Sequence, residues 1–214
     1  MKDIAIYGAG GFGREMACYI ERVNLFTSEW NLIGYFDDGI PKGSETQYGP
    51  ILGGKQELND WKNSISIVFA IGMPKTIKKI VEGITSTKVT FPNIIDPSVC
   101  FIDKSSFKMG QGNVIGPNSL ISCNVSLGNF NLLNVFEQIG HDTCLGDYNI
   151  LMPTVNISGG VEIGNYNLFG VKSTVLQYLH IGDNVTLGPG SVLMKDTKND
   201  TTYMGIPARP LFSK

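Results

Sequence analysis

From Met109 onward every sixth residue is large and apolar: Ile115, Ile121, Leu127, Leu133, Ile139, Leu145, Leu151, Ile157, Ile163, Phe169, Val175, Ile181, Leu187 and Leu193 continue the series without a slip. Where 42% of residues are hydrophobic, so long a run arises by chance on the order of once in a million. A period of six fits neither an amphipathic helix nor a half-buried strand, whose periods are about 3.6 and 2. It is the repeat of a parallel β-helix, in which each hexad lays one short strand along one face of a triangular prism. Three hexads close a coil, so positions 18 apart stack at the ~4.8 Å spacing of adjacent strands. Residues 109–198 then make about five coils. The apolar residue points inward. Small or medium side chains two positions earlier, at Ser119, Val125, Thr143, Val155, Val161, Ser173, Val185 and Ser191, fit beside it. Glycine directly after many apolar sites, as at Gly110, Gly128, Gly146 and Gly164, is expected to ease the turn.

Before Asp96 the pattern changes. Asp3–Tyr7, Leu32–Phe36, Ile65–Ile71 and Val89–Ile95 read as short buried strands, and helical spacing follows the first and third of them, from Arg14 and from Lys75. Residues 40–64 are turn-rich, with a short helix at 55–62. Strands alternating with helices predict a parallel sheet covered on both faces. The chain therefore reads as α/β followed by all-β. A small Rossmann-like parallel sheet over residues 1–96 precedes a hexapeptide-repeat parallel β-helix with a C-terminal tail over residues 97–214.

Charge narrows the function classes. Seventeen Lys and Arg against 19 Asp and Glu leave a net charge of −2, which gives no general field for nucleic acid. The longest apolar stretch, 65–73, is far below the roughly 20 residues of a membrane span. The N-terminus shows no signal-peptide pattern, and Cys18, Cys100, Cys123 and Cys144 form no C-x-x-C pair. They read as reduced packing residues of a cytoplasmic protein. Cys144 near His141 is the one Cys/His pair, so no metal is expected. Between 109 and 193 the charges are Glu137, Asp142, Asp147, Glu162, Lys172 and Asp183. A prism so free of charge points to neutral faces covered by partners, and a homotrimer is the natural closed arrangement.

The two histidines, His141 and His180, both lie in the repeat. His180 reads as a surface residue at a coil corner. His141 is followed by Asp142, and the 18-residue stacking puts Gly159 and Gly160 above this pair. Two glycines over an imidazole leave an open shelf with free backbone N–H groups, where an acyl carbonyl could rest while His141 takes a proton. Paired glycines also serve tight turns. Asn134 precedes His141 by seven residues. It reaches that imidazole only from a neighbouring subunit, or else serves its own turn. In the first domain, Gly8-x-Gly10-x-x-Gly13 lies between a strand and a helix, the context of a phosphate cradle. Asp37, at the end of the second strand, is placed for a ribose hydroxyl or a base N–H. One half-domain leaves no second half for nicotinamide, so the nucleotide arm of a UDP-sugar fits better than NAD.

The Gly8–Gly13 loop, Asp37-Asp38, Ala70-Ile71-Gly72, the hexads, Ile139-Gly140-His141-Asp142, Ser158-Gly159-Gly160 and Gly205-Ile206-Pro207-Ala208-Arg209 occur together in this order. In this the chain resembles, over nearly its whole length, the left-handed β-helix sugar acyltransferases, which include sialic-acid O-acetyltransferases and UDP-4-amino-sugar N-acetyltransferases. The resemblance implies left-handed coils, an exception to the usual crossover hand, and acetyl-CoA as co-substrate. It implies His141 as general base, Asp142 as its orienting acid, Asn134 assisting at the acceptor and the Gly159 N–H holding the thioester carbonyl. Gly170, Gly188, Pro207 and Arg209 would line the CoA site. Gly8, Gly10, Gly11, Gly13 and Gly72 would carry the nucleotide, with Asp37 or Asp38 at its base or ribose. Two positions depart from the family pattern. Ile150 stands where a second histidine is common, and Gly72-Met73-Pro74-Lys75 lacks the usual Asn and Arg. The implied activity is acetylation of an amino group on a nucleotide-linked, UDP-4-amino-type sugar in cell-surface glycan biosynthesis. A sugar hydroxyl as acceptor, and a non-catalytic nucleotide-sugar-binding role, are the alternatives.

Overall fold

The structure, a computed structural model, describes residues 1–211. The chain divides into two compact units, Met1–Pro97 and residue 98 onward. The first unit runs β1 (Lys2–Tyr7), α1 (Gly11–Thr27), β2 (Trp30–Phe36), β3 (Glu45–Thr46), β4 (Gly49–Gly53), α2 (Lys55–Asn59), β5 (Ile65–Phe69), α3 (Pro74–Glu82), β6 (Val89–Thr90) and β7 (Ile94–Ile95). Its six-stranded sheet has the order β3-β4-β2-β1-β5-β6. All neighbours are parallel except β3, which pairs antiparallel with β4. Two expectations change here. The turn-rich stretch 40–64 contributes β3 and β4, so the sheet is wider than four strands and carries one antiparallel edge. The expected strand 89–95 is split by Pro92, which has no N–H for a continuous ladder. β1 sits at the centre, with Ile4, Ala5, Ile6 and Tyr7 buried between β2 and β5. The Arg22 guanidinium of α1 grips the buried Asp96 carboxylate through two bonds, Nε–Oδ2 at 2.5 Å and Nη2–Oδ1 at 2.9 Å.

The second unit is a parallel β-helix of two-residue strands. One face stacks Val114–Ile115, Leu132–Leu133, Ile150–Leu151, Leu168–Phe169 and Thr186–Leu187, closed by the hairpin Thr202–Gly205 and Ala208–Pro210. The next stacks Cys100–Phe101, Leu120–Ile121, Gln138–Ile139, Asn156–Ile157, Thr174–Val175 and Val192–Leu193. The third stacks Lys108–Met109, Ser126–Leu127, Cys144–Leu145, Glu162–Ile163 and His180–Ile181. Residues 18 apart pair in register along these faces, for example Leu145 with Ile163 and Ile163 with Ile181, except at the ends, where Leu120 pairs with Cys100 and Thr186 with Thr202. From Ile115 to Leu193 every sixth residue is buried, as is the smaller side chain two positions before many of them.

The corners fall three residues after each apolar site, and the residue there is left-handed: Asn118, Asn124, Phe130, Phe136, Asp142, Tyr148, Thr154, Tyr166, Lys172, Tyr178 and Asn184 all have φ between 55° and 64°. The glycine after the apolar site therefore does not make the turn. It is needed for approach between coils, because a Cβ on Gly146 would stand 2.5 Å from Asn165 Oδ1, and one on Gly164 2.9 Å from Gly182 O. Left-handed aromatic residues are costly alone. Here Phe130, Tyr148 and Tyr166 stack coil on coil, with ring centroids 5.1 and 5.5 Å apart.

The interior also holds polar groups. Asn113, Asn131, Asn149 and Asn167 form a ladder in which each amide oxygen accepts the backbone N–H one coil on, at 2.9, 2.8, 3.0 and, from Val185, 2.7 Å. Glu137, counted above among the charges of the prism, points inward. It is fully buried and neither carboxyl oxygen has a hydrogen-bond partner. Burial pushes its carboxyl up to about 9. Glu137 is thus neutral in the fold at pH 7, whereas the unfolded chain ionises it from about pH 4.5. Below that pH the group is protonated in both states and costs nothing. Between it and pH 9 only the unfolded chain gains by losing the proton, so stability falls as pH rises. Glu137→Gln should flatten this slope and raise the melting temperature most at pH 8. Thermal unfolding between pH 5 and 9 measures both, and an unchanged slope would contradict the burial argument.

Candidate active site

His141 and Asp142 occupy one corner of the β-helix, immediately after the strand Gln138–Ile139. Asp142 takes the left-handed corner conformation at φ 57°, which turns its carboxylate back onto the preceding ring. His141 Nδ1 lies 2.8 Å from Asp142 Oδ2. A carboxylate only accepts, so the neutral ring carries its proton on Nδ1 and leaves the Nε2 lone pair free. The other carboxylate oxygen accepts from Asn124 Nδ2 at 3.0 Å. Both contacts, His141 first, hold the Asp142 carboxyl below the usual carboxylate range. Asn124 went unnoticed in the sequence, although it stands 18 positions before Asp142, one coil below on the same corner. The stacking rule that placed Gly159 would have found it.

One coil above, a Cβ on Gly159 would sit 2.5 Å from His141 Nε2, so glycine is what leaves the ring its place. The Gly160 N–H donates to the His141 carbonyl at 2.7 Å. Gly159 N–H donates to no group among the described residues, while its nitrogen faces the backbone of Gly140. A free base nitrogen and a free amide donor therefore share one shelf. That pair suits proton removal from a nucleophile together with stabilisation of a developing oxyanion.

Other site candidates fall elsewhere. Asn134 is buried and its Oδ1 accepts the adjacent Val135 N–H at 2.9 Å. It makes no hydrogen bond with His141 within the chain. Ile150 is fully buried. His180 is exposed, with Nδ1 3.8 Å from Glu162 Oε2. Gly170 and Gly188 have packing reasons of their own. A Cβ on Gly170 would meet Pro189 N at 2.6 Å, and buried Gly188 lies under Met204. Pro207 is exposed between the strands of the terminal hairpin. Arg209 lines a cavity of about 630 Å³ with Lys195, Lys198, Asp196 and Tyr203. Asp196 and Asp200 in that lining accept from His180 N at 2.8 Å and Asn184 Nδ2 at 2.6 Å and keep their charge, so three cations against two carboxylates leave the lining weakly positive.

In the first unit the glycine loop divides into two kinds. Gly8 (φ 108°) would bring a Cβ 2.8 Å from Ala70 O, and Gly13 packs on the Gly8 carbonyl; both serve close approach. Gly10 and Gly11 are open, as is Gly72. Gly10 caps α1 without a side chain, and the first turn carries no acidic residue. The helix thus presents unscreened N–H groups suited to an anion. Asp37 clamps this loop, accepting Ala9 N–H at 2.9 Å and Gly39 N–H at 2.8 Å. Asp38 turns away to Tyr7 Oη at 2.6 Å and Lys55 N–H at 2.8 Å. Burial, with the Asp38 contact next, raises the Tyr7 phenol far above its ordinary value. Among the described residues no group of His, Cys, Asp and Glu is arranged to hold a metal ion, and no helix is long and apolar enough to cross a membrane. One test follows from the corner geometry. His141→Ala should move the Asp142 carboxyl up toward its ordinary range, and adding Asn124→Ala should move it further. Carboxyl titration by NMR reads both, and an unmoved Asp142 would remove the contacts from the account.

Residues 3–84 match the PglD N-terminal domain family. A 43-residue stretch is 42% identical to a serine acetyltransferase of Synechococcus elongatus, covering 20% of this chain and 18% of that protein. The whole chain superposes on solved structures. The acetyltransferase domain of PglB from Neisseria gonorrhoeae in complex with acetyl coenzyme A is 25% identical, with 98% of this chain and 99% of that one covered and a TM-score of 0.87. PerB from Caulobacter crescentus, in complex with CoA and GDP-perosamine, is 21% identical over 99% of this chain and 98% of that one, with a TM-score of 0.86. WeeI from Acinetobacter baumannii is 23% identical over 99% and 100%, with a TM-score of 0.88. Residues 3–84 thus resemble the PglD N-terminal domain, and the chain as a whole shares the fold of the PglB acetyltransferase domain, PerB and WeeI.

Proposed function

We propose that the protein transfers an acetyl group from acetyl-CoA to an amino group of a nucleotide-linked sugar, of the UDP-4-amino type, for cell-surface glycan assembly. One observation carries this: His141, its Nδ1 held by Asp142, keeps Nε2 free beside the unengaged Gly159 N–H. The PglB domain that binds acetyl-CoA and the PerB enzyme that binds CoA with GDP-perosamine support it. The sugar amine, in its neutral form, attacks the thioester carbonyl. The oxygen gains negative charge facing the Gly159 N–H, and Nε2 takes the proton of the attacking nitrogen. The C–S bond then breaks and the imidazolium returns that proton to the departing thiolate. Asp142 supports the cationic ring while it lasts. No covalent enzyme intermediate is needed.

Lys195, Lys198 and Arg209 suit the phosphates of CoA. Gly10, Gly11 and the start of α1 suit the diphosphate of the sugar nucleotide, with Asp37 holding the loop and retaining lone pairs for a ribose hydroxyl. The face bearing Cys100, Leu120, Gln138, Asn156, Thr174 and Val192 outward holds no charge. It supports assembly as a homotrimer, in which Asn134 of a neighbour could assist at the acceptor. Four free cysteines accord with a cytoplasmic setting.

His141→Ala should lower turnover by about 10²–10⁴-fold while leaving the melting temperature unchanged, since the ring is exposed. Gly159→Ala should also suppress turnover by displacing the ring. Thiol release from acetyl-CoA with UDP- and GDP-linked 4-amino sugars measures this, and a fully active His141→Ala would exclude the mechanism. Calorimetry with UDP and GDP identifies the nucleotide, and binding of neither would refute the role of the glycine loop.

A further inference from the structure

His141 and Tyr178 approach one shelf from opposite sides. The imidazole lies against Gly159 from the coil below, and the Tyr178 ring lies against Gly160 from the coil above, where a Cβ would come 2.6 Å from Cε1. The Tyr178 N–H donates to the Gly159 carbonyl at 3.0 Å, which seats the tyrosine directly over the pair. Its side chain is 70% exposed, and its hydroxyl makes no hydrogen bond among the described residues. A large ring held upright in solvent beside a free base nitrogen is not accounted for by packing on one glycine.

What lies beyond the ring indicates its use. Two residues on, His180 N–H is accepted by Asp196, and Asp196 lines the cavity that holds Lys195, Lys198 and Arg209. The corner Asp142, Gly160, Tyr178, Asp196 climbs about three coils, roughly 14 Å at the spacing of adjacent strands. A thioester at Gly159 whose phosphates rest among those cations must run its pantetheine arm up this corner, and Tyr178 stands midway. The arm is a flexible chain of methylenes and amides whose ordering costs entropy on binding, and an exposed aromatic face offers it both apolar contact and a polar hydroxyl rim.

We propose that Tyr178 contacts the acyl donor, its ring serving as the wall along which the pantetheine arm lies between the imidazole and the basic cavity. The inference rests on the acetyl-CoA reading above and adds a specificity-determining residue to it.

Titrations of the full chain with CoA and with pantetheine, which lacks the phosphates, test it. Tyr178→Ala should weaken both probes by about tenfold, and Tyr178→Phe should stay within about twofold of the original protein. Lys198→Ala with Arg209→Ala should weaken CoA alone, so the ratio of the two affinities collapses there and is preserved in Tyr178→Ala. A purely structural tyrosine would lower the melting temperature without that pattern. Affinities unchanged in Tyr178→Ala, or a loss confined to CoA, would overturn the proposal and leave the acetyl-CoA reading standing. If the unaltered protein fails to bind CoA, that reading falls and the proposal falls with it.

Discussion

The backbone hydrogen bonding between successive coils fixes everything else in the β-helix. Each strand is two residues long and must find its partner 18 positions away, as Cys144 finds Glu162 and Glu162 finds His180. At a spacing near 4.8 Å there is no room for a stray Cβ between coils. The glycines after the apolar sites answer that restriction, and the left-handed conformation is left to the corner residues. The candidate site uses the same rule. Gly159 is a point where the coil above gives up its side chain, and the space released is filled by the imbricated ring of His141.

The first unit solves a related problem by different means. Gly8 and Gly13 let a strand, a loop and a helix approach one another, and Asp37 ties the loop through the Ala9 amide. Close packing and anion binding are therefore divided among neighbouring glycines. Two are locked into the framework, and Gly10 and Gly11 are left facing outward at the head of a 17-residue helix. The division explains how a short segment can be both rigid and receptive.

Much of this was legible in the sequence because the repeat is arithmetical. The period of six names the buried residues, and adding 18 places Gly159 over His141. What stayed hidden has physical causes. Periodicity reports which way a side chain points only where the residue type agrees. Glu137 occupies the same interior column as Ser119, Val155, Ser173 and Ser191, yet its residue type marks it only as one of the few charges of the prism. The glycine after the apolar site looked like the turn former because its flexibility is familiar, whereas the turns are made two positions later, mostly by Asn, Asp and aromatic residues and at three corners by Gly112, Gly160 and Gly190. The short β3–β4 hairpin escaped notice because a two-residue strand followed by a five-residue one bounded by Gly49, Pro50 and Gly53 carries no clear alternation.

The asparagine ladder has a bearing on how such a chain can change length. Asn113, Asn131, Asn149 and Asn167 stand in one interior column, and each serves the amide directly above it. Duplication of a single hexad would preserve the apolar rhythm but rotate every later residue by one face, stranding these amides against the wrong neighbours. Gain or loss of a whole coil would keep each column aligned. Evolution along this solenoid is therefore quantised in steps of one full revolution, with smaller insertions confined to the corners, where the chain already leaves the prism.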